Sequence, residues 1–377
     1  MRILLAFVAI ALLLLVLRDA FETVILPRRV HRRFRPTSLF YRSSWLLWRG
    51  AALRLPKRFR EASLGWFGPS SLLVLLALWA VSIVFAFGAL HWAAGSAIEL
   101  GGETPGFLTD LYFSGTTFFT LGLGDAAPRT AVARVLTVSE AGLGVAFLAI
   151  TIGYLPVIYQ TFSRREIAIS LLDARAGSPP TAGELLSRAR SDSEQRELTR
   201  LLADWERWAA ELLESHISYP VLAYYRSQHS NQSWLAALTT VLDTSALVLV
   251  GFDGWSIRQA EYSFAMARHA VVDLAQMFST RRPEQQEERL TDAGFGALVQ
   301  QLDGAGIRFQ EADARARLAA LRSKYEPYVI ALSRHLALPL PAWTRQSDRR
   351  DNWQAAPWKT LPTGTLPPEH FDSPGGL

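Results

Sequence analysis

Cysteine is absent from the 377 residues, and lysine occurs only at Lys57, Lys324 and Lys359. The first absence excludes disulfides, thiolate nucleophiles and cysteine-ligated metal centres. The second means that the formal charge of +5 is carried almost wholly by arginine. Also missing are His-Glu-x-x-His, Gly-x-Ser-x-Gly and a phosphate-binding Gly-Lys-Ser/Thr, so no enzyme class is signalled. No Gly-x-Gly-x-x-Gly follows a strand, which removes the usual nucleotide-binding fingerprint and any cofactor it would imply. His216, His229 and His269 are scattered, and His269 with Asp273 one turn later supplies two ligands where a structural metal site needs four. A structural hydrogen bond is the expectation for that pair.

Charge is also scarce inside three long apolar runs before residue 160. A helix needs about 20 apolar residues to cross a bilayer. Residues 3–17 are uninterrupted, and the run reaches Leu26 only by tolerating Arg18, Asp19 and Glu22 before Pro27 ends it. Residues 70–93 and 131–159 are long enough without such concessions. The basic start and apolar core of the first run also suit a secretory signal, but no small-x-small cleavage site follows Leu17, so a retained span is expected.

Acidic residues are missing where arginine is dense. Between the first two spans lie Arg28, Arg29, Arg32, Arg33, Arg35, Arg42, Arg49, Arg54, Lys57, Arg58 and Arg60 against Glu61 alone. Loops of that kind stay cytoplasmic, and Arg164 and Arg165 place the end of the third span on the same side. The N-terminus and the stretch holding Glu99, Glu103, Asp110 and Asp125 then face outward. Because these cations sit beside the apolar runs, anionic lipid headgroups near the 28–60 loop are the expected partner, and nucleic acid is not. Residues 38–55 mix Leu39, Leu46, Leu47, Leu53, Trp45 and Trp48 with Arg42 and Arg49, a composition for a helix lying in the headgroup layer or packed on the soluble domain.

After Arg165 the chain reads as a helical cytoplasmic domain. Ser191 and Glu194 have capping-box spacing, and further helices are expected over residues 232–250, 257–278 and 309–336. Residues 235–252 are apolar, but Asp243 and several hydroxyl residues favour a buried helix over a fourth span. From residue 339 onward, proline, glycine and isolated tryptophan without periodicity suggest a flexible tail.

One short outward segment carries chemistry. Residues 108–119 are apolar but only about three turns long, followed at once by Thr120, Leu121, Gly122, Leu123, Gly124 and Asp125. Non-helical backbone at membrane depth survives only where it is buried or lines a water-filled path. Such a path must replace a cation's lost hydration with oxygens, and backbone carbonyls supply these without net charge. Gly122 and Gly124 allow the required dihedrals, the Thr120 hydroxyl adds an oxygen, and Asp125 at the mouth raises local cation concentration. The preceding short helix would aim its partly negative C-terminal end at the path.

The spacing Thr117-x-x-Thr120-x-Gly122-x-Gly124-Asp125 between two spans resembles the potassium-channel signature. Residues 70–160 are similar to the outer helix, pore loop and inner helix of bacterial single-pore members of that family. The resemblance implies a homotetramer around one pore, with permeant K+ as the sole metal and no cofactor. It implies supporting roles for Tyr112, Phe113, Thr116 and Thr117 on the pore helix, with Tyr112 placed to hold Asp125. It also implies inner-helix bending at Gly144, with Gly153 and Pro156 as a second point. Leu121 and Leu123 replace the usual Val and Tyr, so a filter tether must come from packing. A weakly selective cation pore, or a non-conducting membrane-tethered signalling or binding protein, are the alternatives. Glu140, an acid inside the third span, either bonds to the back of the pore helix and tunes the filter or lies near the outer interface. No gating ligand is indicated, but Arg164, Arg165 and Glu166 stand where motion of the soluble domain would reach the inner helix.

The expected protein is an all-α integral membrane protein. A first transmembrane helix covers residues 1–27, a basic loop with an interfacial helix 28–68, and a pore domain 69–162. A cytoplasmic helical domain at 163–338 and a tail at 339–377 follow. The expected location is the bacterial inner (plasma) membrane.

Overall fold

The computed structural model describes residues 1–26, 35–100, 106–189, 191–229, 231–252, 257–280, 288–309 and 313–345. Helix α1 (Arg2–Val24) is followed by α2 (Pro36–Ala52), α3 (Lys57–Ala93), strand β1 (Ile98–Leu100), α4 (Phe107–Phe118), β2 (Ala126–Pro128) and α5 (Ala131–Ala176). Then come α6 (Ala182–Ser187), α7 (Asp192–Ser218), a 3₁₀ turn (Pro220–Tyr224), α8 (Trp234–Val250), α9 (Arg258–Met277), α10 (Asp292–Gly304), α11 (Ala314–Arg322) and α12 (Glu326–Leu336). The protein is all-α apart from an antiparallel ribbon in which Glu99 pairs with Ala127.

Helices α1, α3 and α5, of 23, 37 and 46 residues, are long and apolar enough to cross a membrane. The last two exceed the apolar runs that forecast them. Helix α3 starts thirteen residues before Ser70, and α5 continues past Tyr159 without a break to Ala176. Hydropathy marks where a helix enters lipid and is blind to its continuation in water.

Helix α1 packs along α3, and its one deeply placed acid explains how a charge is tolerated there. Asp19 is buried, accepting from Trp79 Nε1 (3.1 Å) on α3 and from Thr37 Oγ1 (2.5 Å) at the start of α2. Buried carboxylates persist where donors satisfy them.

Helix α2 is two-faced. Tyr41 and Trp45 are buried against Tyr224 of the 3₁₀ turn and Phe67 of α3, and Trp45 Nε1 donates to His335 O of α12 (2.9 Å). Its other face leaves Leu46 and Leu47 61% and 76% exposed. Of the two placements the sequence left open for this helix, packing on the C-terminal domain is the one these contacts show.

In the C-terminal domain, the Ser191 and Glu194 capping box forms in both directions. Helix α8 lies buried inside the domain, and Asp243 on it takes a paired contact from Arg289 (2.7 and 3.2 Å) and a bond from Tyr325 Oη (2.6 Å). The helix expected over 309–336 is two helices, parted by a turn at Ser323 and Lys324 that lets Tyr325 reach Asp243. The start of the supposed tail is packed: Trp343 is buried, and its carbonyl accepts from Gly183 N (2.9 Å). Arg289 and Arg322 lie over its ring. Aperiodic sequence conceals such single anchors. Residues 346–377 lie outside the described residues.

One arginine joins the long helix α5 to this domain. Arg165, buried, donates to Leu222 O (2.9 Å) and Tyr225 O (2.8 Å) and meets His216 Nε2 at 3.4 Å. His216 Nδ1 is 2.8 Å from Leu212 O, so the neutral tautomer with hydrogen on Nδ1 satisfies both contacts. Burial, then the adjacent Arg165 charge, lower the His216 pKa to about 3. The unfolded chain protonates this ring near pH 6.5, while the folded chain holds it neutral. Stability from His216 is thus complete above about pH 6.5 and falls by about 1.4 kcal/mol per pH unit below it, down to the folded value. Unfolding of the purified protein followed between pH 7.5 and 5 should show that decline. His216→Gln should remove about 1.4 kcal/mol per unit from its slope, and an unchanged slope would assign the effect elsewhere.

Candidate functional site

Helix α4 is the short apolar segment expected to re-enter the membrane, and it is held against α3 and α5. Leu111 on it lies so close to α3 that a Cβ on Gly88 would come within 3.1 Å of its backbone. Ser114 Oγ lies within hydrogen-bond distance of Val84 O on α3 (2.7 Å) and of Glu140 on α5. Of the two placements considered for Glu140, the structure has the one behind the pore helix: the residue is fully buried.

Around that contact is a polar cluster of which the sequence carried little sign. His91 on α3 is buried, with Nε2 3.9 Å from Glu140 Oε2 and its ring edge-on to Phe113. Asp110, buried on α4, accepts from Ser96 Oγ (2.6 Å). Both His91 nitrogens and Asp110 Oδ1 lack a hydrogen-bond partner among the described residues. His91 could be found in sequence only as a polar residue near the end of an apolar run.

The helix closes at Phe118, and the chain turns through Thr120 N to Thr117 O (3.0 Å) and Leu121 N to Thr116 O (2.8 Å). Thr116 and Thr117 thus stand under the first residues of the hexapeptide. Beyond them the backbone alternates in hand. Thr120, Gly122 and Gly124 have φ of 56°, 58° and 81°, while Leu121 and Leu123 keep negative φ. Alternating hand turns successive peptide groups to one side, whereas an ordinary strand alternates them. Glycine takes left-handed φ without penalty, but Thr120 is held there at a cost of about 1–2 kcal/mol.

Asp125 closes the hexapeptide and accepts from Tyr112 Oη (2.7 Å), so the two residues that the resemblance pairs do meet. The ribbon of β1 and β2 lies just beyond, where Arg129 pairs with Glu99. Leu121 and Leu123 are 60% and 61% exposed.

The inner-helix glycines differ. A Cβ on Gly144 would stand 2.1 Å from Phe118 O at the end of the pore helix, so this position is glycine for a steric reason whatever bending it permits. Gly153 has nothing within 4 Å of a built Cβ, and Pro156 lies inside the same continuous helix. Among the described residues no group of three His, Asp or Glu side chains could hold a metal ion.

Residues 72–160 match the model of a family described as Ion channel. This segment is similar to an ion-channel pore domain. It takes in the part of α3 from residue 72 onward, α4, the hexapeptide and α5 as far as residue 160. A curated relative of similar sequence, named Uncharacterized membrane protein YdjJ, comes from Bacillus subtilis (strain 168). It is 27% identical over 210 residues, which cover 55% of this chain and 59% of the relative. The chain thus spans about three-fifths of that relative's length. No solved structure matches.

Proposed function

We propose that the protein is a potassium-selective channel in which four copies surround one pore. The carbonyls of residues 120–123 and the Thr120 hydroxyl replace the water shell of K+, and Gly124 turns the chain out to the mouth. The observation that carries this reading is the left-handed φ at Thr120, Gly122 and Gly124, the alternation that lets successive carbonyls line one axis. Asp125, steadied by Tyr112, concentrates cations outside. The exposed Leu121 and Leu123 are to be covered by neighbouring copies, which supply by packing the collar that leucine cannot supply by hydrogen bonding.

The helical C-terminal domain and the arginine-rich loop lie in the cytoplasm, and the N-terminus lies outside the bacterial inner membrane. Inner-helix motion at Gly153 and Pro156 gates the pore, coupled to the C-terminal domain through Arg165. The protein is a conductor and not an enzyme.

The test combines assembly and flux. Purified protein in detergent should have the mass of four chains, and vesicles loaded with potassium should release it through the protein, with barium blocking release. A monomer with no flux would leave a membrane-tethered binding protein as the reading. Flux carried equally by sodium would make it a weakly selective pore.

A further inference from the structure

The outer face of α2 presents exposed Arg42, Leu39, Leu46 and Leu47, with half-buried Arg49 beside them. Arg42 and Arg49 lie seven residues apart, two helical turns along one stripe. Among the described residues neither makes an ion pair, and Arg49 Nε is buried without a hydrogen-bond partner. Both approach His335 of α12, whose Nε2 also lacks a partner. Burial first, then the Arg49 and Arg42 charges, lower the His335 pKa to about 4, so the ring stays neutral. Among the described residues, Glu61 pairs with Arg226 (3.1 Å) and Glu22 with Arg18 (2.9 Å).

The height of this stripe is set by its neighbours. Trp48 Nε1 donates to Ser63 O (3.0 Å), Trp45 and Trp48 pack on Phe67, and Tyr41 reaches Ser71. Those α3 residues straddle Ser70, where its membrane-crossing run begins. The stripe of Arg42 and Arg49 is therefore level with lipid headgroups, and the neighbouring exposed Leu39 and Leu46 are level with the first acyl carbons.

We infer that Arg42, Arg49 and the His335 edge of α12 form a binding site for the phosphate of an anionic phospholipid, whose acyl chains lie over Leu39 and Leu46. Guanidinium groups take phosphate oxygens in paired contacts, and a neutral imidazole Nε2 can share the adjacent ester or hydroxyl. Bound lipid would brace α2 and the C-terminal domain together, because Trp45 on the same helix already bonds His335 O. The inference concerns membrane binding and goes beyond ion conduction.

Native mass spectrometry of the full-length protein released from detergent, offered equal phosphatidylglycerol and phosphatidylcholine, tests it. Wild type should retain phosphatidylglycerol preferentially. Arg42→Gln with Arg49→Gln should reduce that preference about 30-fold, as expected for two basic residues at an anionic surface. Arg200→Gln with Arg207→Gln, the same charge loss on exposed α7, should leave it intact. Leu46→Ser should weaken retention of both lipids while sparing the charge preference, which keeps the test readable if the arginine variant misfolds. Equal retention of the two lipids by wild type, an unaltered preference in the folded arginine variant, or displacement of the lipid by millimolar inorganic phosphate would overturn the assignment.

Discussion

Gly122→Ala is expected to abolish potassium current while leaving assembly intact. Gly122 sits at φ 58° with nothing within 4 Å of a built Cβ, so in this chain the substitution has room and fails on backbone conformation. An alanine held left-handed costs about 1–2 kcal/mol, and in the proposed assembly of four copies this becomes roughly 4–8 kcal/mol against the conducting arrangement. At about 1.4 kcal/mol per decade, the current should fall by about 1000-fold or more. Channel recording beside a size measurement on the same preparation checks both halves. Normal current through Gly122→Ala would remove these carbonyls from the conduction path.

Gly144→Ala should act in the opposite way, through assembly first. Its Cβ would stand 2.1 Å from the Phe118 carbonyl, a backbone atom that a rotamer change cannot move. The pore helix and α5 must separate, at a cost of about 1–3 kcal/mol or more per chain. Thermal unfolding should occur at lower temperature, and the assembled fraction in detergent should drop. Gly153→Ala, with open space around it, should leave folding unharmed or improve it by about 0.5–1 kcal/mol, since glycine is a poor helix residue. If bending near Gly153 opens the pore, that variant should open less often at unchanged assembly. Equal melting of the Gly144→Ala and wild-type proteins would contradict the close contact.

The contrast shows what a sequence can and cannot disclose here. The three spans were legible because crossing lipid demands an unbroken apolar stretch, and the left-handed turns at Gly122 and Gly124 because glycine takes positive φ without penalty. Tyr112 and Asp125 were legible as a pair only through the family pattern, and they do meet. Glu140 announced itself as an acid in an apolar run, but its partner Ser114 is one hydroxyl among many on the pore helix, and only packing selects it. His91 gave no signal, because its neighbours on α4 and α5 are far away in sequence. Gly144 read as a bending point, and the structure adds a second reason for glycine there, the opposing Phe118 carbonyl. Docking of α2 on the soluble domain was one of two open readings, since tryptophans suit both lipid headgroups and protein cores, and only the structure supplies its partners Tyr224 and His335.

The most direct test of the central claim is the reversal potential of purified protein in a planar bilayer with potassium on one side and sodium on the other. Carbonyl coordination by residues 120–123 predicts a displacement toward the potassium equilibrium of about 59 mV for each tenfold of selectivity, and at least one such step. Current that reverses near zero would contradict potassium selection by this backbone, and a preparation of intact tetramers that passes no current under any condition would contradict the channel itself.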